Sequence, residues 1–141
     1  MATTFKFYMD SGLTDEYNAG TDYVGPFVGS SFPQDTVIYF GSTDATRKVQ
    51  ADSDPGVDNI VVSLTDAATS SGVETTDFKL ATSSGGLTSA TAGASLDLGV
   101  TEITGGTGNA VAIHVRCSYS GGIIDDTDCA LEINDLVEST I

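Results

Sequence analysis

Carboxylates are the most abundant chemistry-bearing side chains in this sequence, twenty against five lysines and arginines and one histidine. Asp10-Ser11-Gly12, after Phe7-Tyr8-Met9, has the form of a triplet used in peptide-bond hydrolysis by paired carboxylates. That chemistry needs two carboxylates sharing one proton, from two triplets or from a homodimer. One copy is present, and Leu13 stands where a small residue is usual. A strand ending in a polar turn explains the same residues. Asp52, Asp54 and Asp58, spaced around Gly56, are oxygen donors of the kind Ca²⁺ takes, and Asp125, Asp126 and Asp128 make a second acidic stretch. Neither is an EF-hand loop, because Ser63 occupies the place of the bidentate Glu. Asp also favours turns by bonding its own backbone, so no metal is expected, Asp52, Asp54 and Asp58 are weak calcium candidates, and an ion at either loop would be structural rather than catalytic.

His114 is the only histidine and sits mid-strand on a polar face beside Arg116. Serine-based catalysis would need this same residue together with a Gly-x-Ser-x-Gly elbow, and that elbow does not occur. Cys117 and Cys129 have no second cysteine pair and no nearby histidine, which argues against zinc. Gly105-Gly106-Thr107-Gly108-Asn109 lacks the lysine of a phosphate-binding loop and precedes a strand, so it reads as a flexible connection. No enzyme class and no cofactor emerges.

The elements that carry these residues alternate at period two. Strand signals cover residues 4–9, 36–41 (TVIYFG), 47–52, 59–66 (NIVVSLTD), 77–82 (DFKLAT), 95–103, 110–119 and 129–137, with turn residues between them. Ser53-Asp54-Pro55-Gly56 is one such turn. Val111, Ile113, Val115, Cys117 and Tyr119 share one face, and Ala112, His114, Arg116 and Ser118 share the other, the pattern of a half-buried antiparallel strand. Cys129, Leu131 and Ile133 alternate against Ala130, Glu132 and Asn134 in the same way. A hairpin centred near Ile123 would set Cys117 opposite Cys129 on the buried face, where a cross-strand disulfide is geometrically open. The repeated ATSSG at residues 68–72 and 81–85 is small-residue loop composition, since its flanks differ.

The expected fold is all-β, an antiparallel sandwich of about seven strands over residues 36–141. Residues 1–35 differ: residues 10–35 hold four glycines and two prolines with little alternation. They fit an extended arm ordered on a neighbouring subunit, an extra hairpin, or a loop packed on the sandwich.

A chain of 141 residues folds to roughly 7,000 Å² of surface, enough to enclose a core without metals or disulfides. The formal charge of −15 repels phosphate backbones and anionic headgroups, so neither nucleic acid nor membrane is an expected partner. The opening MATTFKFYMDSG lacks a basic stretch followed by a long apolar run. A chain that stays in the cytosol with reduced cysteines is therefore expected.

The run DTVIYFGSTDATRKVQADSDPGVDNIVVSLTDA, then DFKLATSSGGL, then ASLDLGVTEITGGTGNAVAIHVRCSYS, resembles small immunoglobulin-like virion proteins of tailed phages. The opening FKFYMDSGLT resembles the start of such short structural proteins. Tyr39-Phe40-Gly41 before a Val-rich strand is also similar to bacterial immunoglobulin-like surface repeats, which are exported and anchored. The phage resemblance implies an immunoglobulin-like sandwich in a non-enzymatic virion component. It would be a head decoration or cement protein, homo-oligomeric, made in the host cytoplasm and bound to capsid subunits; the alternative is a tail, baseplate or fibre-associated protein. Phe5, Phe7, Tyr8, Phe27 and Phe32 are the expected interface anchors, because aromatic residues tend to dominate interface energetics. The competing expectation is that about half of these rings fill the chain's own core. Tyr17, Tyr23 and Tyr119 are the expected stacking residues if a host glycan is touched.

Overall fold

The computed structural model describes residues 4–17, 33–66, 74–118, 129–133 and 135–141. The alternating segments become strands β1 (Lys6–Tyr8), β2 (Gln34–Gly41), β3 (Arg47–Ala51), β4 (Val61–Asp66), β5 (Phe78–Ala81), β6 (Leu96–Asp97), β7 (Glu102–Thr104), β8 (Val111–Cys117), β9 (Cys129–Ile133) and β10 (Leu136–Thr140). Helix among the described residues is limited to 3-10 turns at Thr75–Asp77, Gly85–Thr88 and Thr107–Asn109. The chain is all-β, and every strand pairing among the described residues is antiparallel.

β8 shows how composition selects position. Its alternate residues Ile113, Val115 and Cys117 are fully buried, while Ala112, His114 and Arg116 are half-exposed on the other face. A strand with one unbroken apolar face can lie at the centre of a sheet, and β8 sits between β2 and β5 in the order β1-β2-β8-β5. Ile38 lies opposite Ile113, Leu80 opposite Val115 and Phe78 opposite Cys117. Phe40 stacks at ring-centroid distances of 6.1 Å from Phe5 and 5.1 Å from Phe7.

The second layer is made of three interrupted strands. β3 lies between β10 and β7, and β4 lies between β6 and β9. Because β6 leads into β7 and β9 into β10, the chain from Arg47 to Asp66 forms one central line with two continuous flanks. Ten residues separate Ala51 from Val62, but only two separate their partners Leu136 and Ile133. The surplus is thrown out as an excursion over residues 52–59. At the same level Leu98 and Ile103 are both buried although five residues apart, as are Leu131 and Leu136. An odd interval between two inward residues requires an extra residue in the strand, which is how a bulge keeps one face toward the core.

One apolar cluster joins the layers, with Ile38, Phe40, Phe78 and Val115 from the first sheet meeting Val49, Val62, Ile103, Leu131 and Leu136 from the second. Each large side chain fully buried there contributes about 2–3 kcal/mol.

Three sequence expectations change. Residues 95–103 and 129–137 are each two strands, because both segments switch faces at the bulge. The hairpin between Cys117 and Cys129 does not form: Cys117 pairs with Gln34 and Phe78, whereas Cys129 pairs with Asp66 in the other layer. Within residues 1–35, the stretch 4–17 is integrated into the sandwich through β1, through the Tyr8–Glu16 bridge, and through the Tyr17 N–H donating to the Phe7 carbonyl at 2.9 Å. Residues 18–32 lie outside the described residues.

Candidate functional site

Asp10 ends β1's strand and builds the following turn. Its carboxylate accepts from the Asp15 N–H at 2.8 Å, the Thr14 N–H at 2.9 Å and the Thr14 hydroxyl at 2.8 Å. The Asp15 N–H, followed by the Thr14 hydroxyl, holds the carboxyl below the usual carboxylate range. Leu13 takes a left-handed φ of 56° inside this turn and is buried. Three donors of its own loop hold the Asp10 carboxylate, so it caps the turn.

The excursion at residues 52–59 is the most distinctive surface feature among the described residues. The Asp54 backbone carbonyl accepts from the Val57 and Asp58 N–H groups at 3.0 and 2.9 Å, closing a turn in which Gly56 has a φ of 81°. Asp58 accepts the Ser53 hydroxyl at 2.6 Å. Residues 52–58 are all exposed, and Val57 is 67% exposed. At the loop's base an open depression of about 490 Å³ is lined by Ser53, Val57, Asp58, Asn59, Val61 and Asp97. Asp97 accepts from the Gly99 N–H at 2.8 Å and the Asn59 amide at 3.1 Å, and these donors, the N–H foremost, hold its carboxyl below the usual carboxylate range. Asp52, Asp54 and Asp58 do not converge: among the described residues no three His, Cys, Asp or Glu side chains form a metal-holding group. Asp125, Asp126 and Asp128 lie outside the described residues. The arrangement sets one exposed apolar side chain, Val57, beside the carboxylates of Asp58 and Asp97.

On the outer face of the first sheet, Arg116 grips Asp35 with two bonds of 2.8 and 3.1 Å, holding that carboxyl low. Strand register sets His114 between Val37 and Ala81. The glycine-rich segment serves packing: the Gly105 N–H donates to the Arg47 carbonyl and the Gly106 N–H to the Ser42 carbonyl, both at 2.8 Å.

The chain matches no known protein family, no curated protein and no solved structure.

The expected anchors split. Phe5 is 2% exposed and belongs to the core; Tyr8 is buried, and Phe7 packs against the same cluster. Phe5 and Tyr8 are enclosed by their own chain, whereas Phe7 stays half-buried at the edge of the cluster. Phe27 and Phe32 lie outside the described residues. Tyr17, expected at an exposed sugar-stacking position, is buried, and its hydroxyl accepts the Leu131 N–H at 3.4 Å; Tyr23 and Tyr119 lie outside the described residues. No described helix is long and apolar enough to cross a membrane. Sequence reading passed over Val57, Asn59 and Asp97. The usable signal was an apolar residue placed directly after Asp-Pro-Gly, where a turn exposes it.

Proposed function

We propose that this chain is a non-enzymatic virion structural protein of a tailed phage, a head decoration or cement protein that binds capsid subunits through protein contacts. One observation carries the reading: a two-layer scaffold presents an exposed apolar side chain, Val57, on a loop raised from the middle of a sheet. Binding residues concentrate on loops held by such scaffolds. A repeated lattice multiplies modest contacts, so a small loop surface per copy is sufficient. The protein works as a homo-oligomer on the particle.

The finer fold assignment is an immunoglobulin-like sandwich, supported by two antiparallel layers around one core. Constant-type immunoglobulin domains pair their sixth strand with the third and seventh. Here the sixth pass, β8, pairs with the second and fourth, β2 and β5, so the likeness rests on layering rather than on strand order.

The test is mass spectrometry of separated heads and tails, followed by rebinding of purified protein to undecorated heads. Recovery with heads and loss of rebinding in Val57→Asp support the proposal. Recovery with tails alone removes it.

A further inference from the structure

The second sheet differs from the first in a way that reaches beyond binding. In the first sheet, β2 and β8 pair without interruption over Phe40↔Val111 to Gln34↔Cys117. In the second, all three chain passes break at one level. The crossing is bridged by the Ile60 N–H to the Val100 carbonyl at 2.9 Å, the Leu98 N–H to the Ile60 carbonyl at 3.0 Å, and the Asp52 N–H to the Asp135 carbonyl at 2.9 Å. Two of these bonds converge on one residue, Ile60, which is fully buried. Next to it Gly99, at a φ of 73°, turns the β6–β7 pass through its change of face.

We propose that the second sheet is a jointed element, two half-sheets that ride on the continuous first sheet and open separately along the line through Ile60. The halves are fastened differently: the β6-β4-β9 half carries the Asn59 amide donating to Asp97 at 3.1 Å and the Thr65 hydroxyl donating to the Ala130 carbonyl at 3.3 Å, with no ion pair among its described residues. The β10-β3-β7 half carries the Lys48–Glu102 and Arg47–Glu138 ion pairs, at 3.3 and 2.9 Å, and its end is tied by the Ile141 N–H donating to the Thr46 carbonyl. In the β6-β4-β9 half, β6 contributes two paired residues. Cooperative opening units tend to coincide with such supersecondary pieces. The β6-β4-β9 half is the one that opens first. The excursion at residues 52–59 springs from the joint, so the angle between the halves sets how Val57 is presented.

Hydrogen exchange of the intact chain, read by mass spectrometry across a series of sub-denaturing guanidinium concentrations, tests this. The expected result is two opening events, with amides of 61–66 and 129–133 at least tenfold less protected than those of 47–51 and 136–140. Residues 111–117 should exchange with the slower group. Equal protection of both halves, within threefold and with the same denaturant dependence, overturns the joint. So does the reverse order of opening. The readout needs no particle and no partner, so it stands or falls apart from the decoration reading.

Discussion

The Glu138 carboxylate meets the Arg47 guanidinium at 2.9 Å, and its other oxygen takes the Thr4 N–H at 2.6 Å and the Thr4 hydroxyl at 3.0 Å. Only 8% of the Glu138 side chain is exposed. One acidic group thus ties the segment entering β1 to both β3 and β10. Glu138→Ala should destabilise the chain by about 1–3 kcal/mol, because it removes a charge-assisted pair and leaves partly buried donors unmatched. Arg47 is about one-third exposed, and solvent around it keeps the value at the lower end of that range. Urea unfolding of Glu138→Ala, Arg47→Ala and the double variant checks it; additive effects would show that the two side chains are uncoupled.

Asp10 makes a prediction about acid. Its folded carboxyl lies below the ordinary value, so its contribution is present above the unfolded pKa of about 3.9 and is lost as pH falls through the folded one. Asp10→Ala should therefore lower the melting temperature by a constant amount between about pH 5 and 7, with the gap to wild type closing below about pH 4. A gap that widens in acid would contradict the capping role.

Gly105 and Gly108 should behave oppositely although they lie three residues apart. A Cβ on Gly105 would be driven onto the Asp44 carbonyl oxygen, which is backbone and cannot swing away, whereas Gly108 faces open space. Gly105→Ala should cost more than about 3 kcal/mol, and Gly108→Ala less than about 0.5 kcal/mol. Chemical denaturation of the two variants compares them directly.

Phe5 and Val57 separate folding from binding. Phe5→Ala empties a core position and should cost about 3–5 kcal/mol. Val57→Asp changes an exposed tip and should stay within about 0.5 kcal/mol of wild type. If Phe5→Ala leaves the melting temperature unchanged, the burial of β1's approach is not what the fold depends on.

A six-residue Gly/Ser insertion after Gly56 should lower stability by less than about 1 kcal/mol, since loop closure grows slowly with length and both ends remain in the sheet. The same insertion between Ile38 and Tyr39 should prevent folding. Circular dichroism melts of the two chains make the comparison.

Much of the fold was legible because β2 and β8 alternate cleanly, and alternation reports a single buried face. The breaks in β6–β7 and β9–β10 were not legible. Leu98 and Val100 alternate with Asp97 and Gly99 as smoothly as any strand, and only the neighbouring chain decides that Leu98 and Ile103 both turn inward. Ser53-Asp54-Pro55-Gly56 was readable as a turn, but β3 and β4 on either side of it are not neighbours. A turn signal marks where the chain bends and says nothing of how many residues its partners skip. For the same reason the candidate site was half-read: the aspartates stood out by type, whereas Val57 and Asp97 gain meaning from a depression assembled across a gap of forty residues.

The chain crosses from one layer to the other at nearly every connection, so its strands wait for partners far along the sequence. Arg47 pairs with Thr140 and Phe40 with Val111. During synthesis, the line from Arg47 to Asp66 therefore lacks one flank until residues 129–140 have left the ribosome. Its inward Val49, Ile60 and Val62 stay uncovered on that side until then. Such distant pairings are slow to close and are prone to association while they are open. The fifteen surplus negative charges keep these unfinished chains apart while the last strand arrives.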